Sequence, residues 1–98
     1  MTPPSNHSES DHARLRDLLI ETKTLVDQSQ DSGWTTWSLE KISADLGRAI
    51  LQITNKENLD TKHLGMLFGP TGPIQETALA SDWHDDYIRL ASECDRLI

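Results

Sequence analysis

The sequence predicts an all-α fold, a single-domain bundle of about four main helices with a short extra helical turn after a Gly/Pro-rich corner. Three observations carry this. Apolar residues recur at three- and four-residue steps in three separate stretches, the signature of one-faced helices. No stretch alternates apolar and polar residues as a strand would. The helical stretches are separated by polar or Gly/Pro-containing breaks.

Residues 1–9 form a polar tail containing Pro3-Pro4, and the helical domain spans 10–98. Ser10 or Asp11 is placed to cap the first helix, expected over Asp11–Gln30. Its stripe is Leu15, Leu18, Leu19, Thr22, Leu25 and Val26. Gly33 is suited to the chain reversal that follows. Trp34-Thr35-Thr36-Trp37 comes next, with two rings three residues apart, either packed in the core or offered as an aromatic anchor for a partner.

The second helix is expected over Thr35–Thr54, with Ser38 an alternative start. Leu39, Ile42, Leu46, Ala49, Ile50 and Ile53 form its stripe, and Glu40, Lys41, Asp45, Arg48 and Gln52 its polar side. Asn58 is the expected cap of a third helix, Leu59–Phe68, in which Gly65 would let another helix approach closely.

The corner Gly69-Pro70-Thr71-Gly72-Pro73 alternates residues with fixed φ and residues that tolerate φ > 0. Pro73 suits the first position of a short helix to Ala80 that carries Ile74, Ala78 and Leu79. Ser81 or Asp82 is the expected cap of the last helix, Asp82–Leu97, with Asp85 and Asp86 complementing its dipole. Trp83, Tyr87, Leu90, Ala91, Cys94, Leu97 and Ile98 form the last stripe. The predicted core is Leu15, Leu18, Leu19, Leu25, Ile42, Leu46, Ile50, Ile53, Leu67, Phe68, Tyr87, Leu90, Cys94 and Leu97.

Nine Lys and Arg against sixteen Asp and Glu give a net charge of −7, which argues against nucleic acid and anionic membrane as partners. The N-terminus has no secretory pattern and no apolar run reaches membrane length, so a cytoplasmic protein is expected. The single cysteine, Cys94, excludes an internal disulfide and a cysteine-based zinc cluster. On the apolar stripe it reads as a structural thiol.

No stretch carries a catalytic motif. Thr71 lies between glycines, but the spacing is not that of a phosphate loop and no lysine follows. His84 with Asp82 and Asp85 has the ligand types of a metal site, yet acids at a helix N-terminus account for the same pattern. No cofactor, metal or enzymatic activity is expected.

Charge topography is more informative. From Gly69 to Ile98 six acids (Glu76, Asp82, Asp85, Asp86, Glu93, Asp95) face two bases (Arg89, Arg96), a net of −4. Such a patch beside a rigid corner suits a basic protein partner.

Two long helices, the Trp34-x-x-Trp37 connection, and Leu67-Phe-Gly-Pro-Thr-Gly-Pro-Ile-Gln-Glu76 leading into an acidic terminal helix resemble small bacterial all-helical proteins of the toxin-immunity type. The resemblance implies a cytoplasmic, non-enzymatic protein that binds one cognate toxin and blocks its active site. The expected contact residues are Glu76, Asp82, Asp85 and Asp86 for charge, with Trp34 or Trp37 as the apolar anchor. The alternative is a helical adaptor or self-associating scaffold whose apolar stripes form a homodimer.

Overall fold

The computed structural model describes residues 9–29, 38–69 and 72–98, with side chains from Asp11 onward. Within them are five helices and no strand: α1 (Glu9–Gln28), α2 (Leu39–Thr54), α3 (Thr61–Phe68), α4 (Pro73–Ala80) and α5 (His84–Leu97). The fold is all-α. Trp34, Trp37, Gly33, Pro70 and Thr71 lie outside the described residues.

The apolar stripes explain the arrangement. α1 lies between α2 and α5 and contacts both. The Asp27–Ser43 hydrogen bond on one side and the Arg14–Glu93 pair on the other make both neighbours antiparallel to α1. α3 and α4 close the remaining side. The short α4 touches α1, α2, α3 and α5, and its Ile74 and Ala78 are wholly buried. Burying a side chain the size of Ile74 is worth about 1.5–3 kcal/mol, so this helix is a central element despite having only two turns.

The core gathers Leu15, Leu18, Leu19 and Val26 from α1 with Ile42, Leu46 and Ala49 from α2. Leu64, Leu67, Phe68, Ile74 and Ala78 join from α3 and α4, and Trp83, Tyr87, Leu90, Cys94 and Leu97 complete it. Leu25, Ile50 and Ile53 are packed at its edge rather than inside it. Buried Thr22 and Thr77 spend their hydroxyls on the carbonyls of Leu18 and Pro73, one turn back, and so bring no unpaired polar group into the core.

Several boundaries differ from expectation. α1 already runs at Glu9, ahead of the expected caps Ser10 and Asp11. Ser38 does cap α2, its Oγ accepting the Lys41 N–H at 3.2 Å, so α2 starts at Leu39 and not Thr35. Asp60, not Asn58, caps α3 by accepting the His63 N–H at 3.0 Å. Among the described residues nothing comes within 4 Å of a Cβ placed on Gly65, so no described helix approaches it.

The chain reverses twice through the same device. Asn55 ends α2, Lys56 takes φ 57°, and the Glu57 N–H reaches back to the Gln52 carbonyl at 2.8 Å. Ser81 ends α4, Asp82 takes φ 65°, and the Trp83 N–H reaches the Ala78 carbonyl at 2.9 Å. Both are Schellman closures with a residue other than glycine in the left-handed position. Asp82 therefore terminates α4 and does not cap α5, whose cap position is Trp83 with no side-chain bond.

Candidate partner-binding surface

The α4–α5 corner is held rigidly from beneath. The Trp83 indole N–H donates to Ser29 Oγ at 2.9 Å, and that hydroxyl donates to the Leu25 carbonyl at 2.8 Å. This ties the corner to the C-terminal end of α1. Tyr87, one turn into α5, is buried and donates its hydroxyl to the Phe68 carbonyl at 2.7 Å, with the Gly69 carbonyl at 3.3 Å. The carbonyls at the end of α3, which have no partner within the helix, are satisfied in this way. Burial raises the Tyr87 pKa, so the hydroxyl stays a donor.

The predicted acids are divided by this geometry. Asp82 and Asp85 are exposed at the corner, and among the described residues neither is in an ion pair. Glu76, half-buried in the first turn of α4, stands six residues before Asp82, roughly 9 Å away along the helix axis. Asp86 is exposed too, but it belongs to another face. It lies 3.6 Å from Arg89, which also bonds Glu21 across the α1–α5 seam. Arg14 and Glu93 pair on that seam at 2.8 Å, and the Arg14 hydrogen bond lowers the Glu93 pKa. Asp86 thus serves the seam between helices, a role its sequence neighbours do not share.

Two exposed apolar side chains flank the corner. Leu79, carried on α4 beside the buried Ala78, is 59% exposed, and Ile88 is 49% exposed. Ile88 departs from the α5 stripe by one residue, and that was its only sequence signal.

His84 stacks against Tyr87 with ring centroids 5.7 Å apart. No group of three or more His, Cys, Asp or Glu among the described residues is arranged to hold a metal ion. Cys94 is buried, and burial pushes its thiol pKa up to about 12, so it is a packing residue and a poor nucleophile.

One polar pair was missed in the sequence. Asp45, assigned to the polar side of α2, is only 6% exposed and accepts from or pairs with His63 Nε2 at 2.9 Å, with Lys41 Nζ 3.6 Å away. This pair links α2 to α3. Its signal was the spacing: Asp45 lies three residues after Ile42 and four before Ala49, at the margin of the buried stripe.

A cleft of about 510 Å³ opens at the opposite end of α1. Its floor is Leu15, Ile53, Leu59, Leu97 and Ile98, and its walls include His12, Arg16, Lys56 and Glu57. No described helix is long and apolar enough to cross a membrane. Compared with known proteins, the chain matches no family model, no curated protein and no solved structure.

Proposed function

We propose that this protein is an immunity-type inhibitor, a binding protein whose α4–α5 corner docks on a basic toxin domain and blocks its active site. One observation carries the reading: Asp82 and Asp85 are exposed, take part in no ion pair among the described residues, and come along the chain between Leu79 and Ile88, whose side chains are also exposed. Apolar anchors beside acids suit an interface in which burial gives affinity and complementary charge sets on-rate. The hydrogen-bonded frame beneath, Trp83 to Ser29 and Tyr87 to Phe68, keeps the corner in shape before binding, which lowers the ordering cost of association. Leu79 and Ile88 replace Trp34 and Trp37 as anchors in this reading, and Asp86 has a smaller part.

The test is co-expression with the toxin encoded by the adjacent gene, followed by association kinetics across a salt series. The chain should protect the cell. The triple variant E76Q/D82N/D85N should keep its helical content yet associate ~10-fold more slowly at low salt, with a flattened salt dependence. An adjacent gene product that is not toxic, or a triple variant with unchanged association, overturns the reading.

Self-association is the second reading. It is favoured by Ile20 and Leu51, which are 44% and 61% exposed on the paired helices α1 and α2. Sedimentation equilibrium of wild type and L51E separates it from the first, since only a homodimer would dissociate on that substitution.

A further inference from the structure

The outer side of the α1–α2 hairpin carries exposed apolar surface and two charges that hold nothing within the bundle. Asp27 bonds Ser43 across the hairpin, and the Lys23 side chain lies 3.5 Å from where a Cβ on Gly47 would stand. That antiparallel register brings Ile20 level with Ile50, so the exposed side chains of Ile20 and Leu51 lie at one level of the hairpin.

Along α2, Glu40, Ala44 and Arg48 follow at four-residue steps, and all three are exposed. Each such step advances about 6 Å and turns the side chain by only about 40°, so the three share one side of the helix. Leu51 stands on that side too, one turn after Gly47. Glu40 and Arg48 are thus opposite charges about 12 Å apart, with the small Ala44 midway. Neither side chain enters a hydrogen bond or ion pair among the described residues, whereas Arg14, Lys23, Lys41 and Arg89 are all paired.

This pattern selects an occupant. A basic partner would repel Arg48, and an acidic one would repel Glu40. A second copy running antiparallel satisfies both, because a two-fold axis through Ala44 sets position 40 of each chain against position 48 of the other. Ala44 then meets its own copy, where a methyl group lets the two helices come close.

We propose that the chain forms a homodimer in which α2 packs antiparallel on α2 of a second copy, centred on Ala44, with Glu40 of each facing Arg48 of the other. The inference rests on the self-association reading and gives it a geometry. By symmetry Leu51 flanks the contact at both ends, with Ile20 beside it. One helix face is a small interface, so the dimer is weak, with a Kd of about 10–100 µM.

Sedimentation equilibrium of the full chain up to ~1 mM measures the association. E40R sets like charges against each other at both ends, and so does R48E. Each should weaken association by about 10-fold. An equimolar mixture of E40R and R48E should return to within about 3-fold of wild type, since the mixed dimer regains both ion pairs. Circular dichroism should show unchanged helicity, as neither side chain holds the fold. E40Q adds no cation to the first turn of α2 and should weaken association by about 3-fold, so the result holds even if E40R loses helix. A wild type that stays monomeric throughout overturns the proposal and the self-association reading together. A wild-type dimer indifferent to all three substitutions, or a mixture that associates no better than its components, overturns the antiparallel pairing and leaves self-association to another face.

Discussion

The corner that joins α3 to α4 and the turns that close α2 and α4 make opposite demands on the backbone. At Lys56 and Asp82 the backbone is left-handed, with φ of 57° and 65°, and the chain places a lysine and an aspartate there. At Gly69 and Gly72 φ is −70° and −80°, open to any residue, and the chain places glycine. The explanation is space. A Cβ on Gly72 would sit 2.7 Å from the Met66 carbonyl oxygen and 2.9 Å from that of Gly69. A Cβ on Gly69 would sit 2.9 Å from the Gly65 carbonyl oxygen. These obstacles are backbone and cannot swing aside. At Gly69 and Gly72 glycine is therefore a device for close approach, and the two left-handed turns that would favour its torsional freedom manage without it.

The sharpest way to break the comparison is Gly72→Ala. Two backbone clashes should destabilise the fold by about 1–3 kcal/mol, with Gly69→Ala less harmful because only one contact is short. Urea unfolding measures both. An alanine at Gly72 that costs nothing would show that the corner can open without penalty.

Tyr87→Phe probes the same corner from the other side of the hydrogen bond. Removing the hydroxyl leaves the Phe68 carbonyl without its buried donor, so a loss of about 1–2 kcal/mol is expected. The combination Gly72→Ala/Tyr87→Phe should fall short of the sum, since a displaced corner has already lost the bond.

The left-handed turns should respond with the opposite sign. Lys56→Gly should stabilise by about 0.5–1 kcal/mol by removing the Cβ strain, offset in part by a freer unfolded chain. Asp82→Gly should gain less, because aspartate tolerates this region better than lysine does. A loss of stability at both would mean that their side chains hold the turns.

The smallest effect belongs to the α1–α2 seam, which contains neither kind of turn and serves as a baseline. Hydrogen bonds from Ser43 and then Lys23 hold the Asp27 carboxyl below the ordinary aspartate value. A depressed pKa contributes stability above the unfolded-state value and loses it as pH falls through the lower folded-state value. Asp27→Asn should therefore cost below about 0.5 kcal/mol at neutral pH, since the pair is solvent-screened, and nothing once the wild-type carboxyl is protonated. Thermal melts across an acid series read the difference.

The helices were legible because periodicity reports a buried face directly. Leu15, Leu18, Leu19, Ile42, Leu46, Leu90 and Cys94 are all buried. What escaped were features decided by neighbours distant in sequence. Asp45 is buried because His63 comes to it from another helix. Asp82 reads as a cap from its position before α5, but the closure of α4 claims it first. The acidic patch was legible as a composition, while its division between an open corner and the Arg89 seam depends on which side of α5 each residue occupies.

The way α4 and α1 are tied has a consequence for how the molecule could be taken apart. α1 and α2 make one local hairpin, α3 to α5 a second unit, and the connection 55–60 is exposed apart from Leu59. Across the boundary run discrete fasteners: Arg14 to Glu93, Glu21 to Arg89, Ser29 to Trp83 and Asp45 to His63. A backbone cut in the 55–60 connection severs none of them. Two fragments divided there should each be poorly ordered alone and regain full helicity when mixed, which would make this small bundle a natural split reporter.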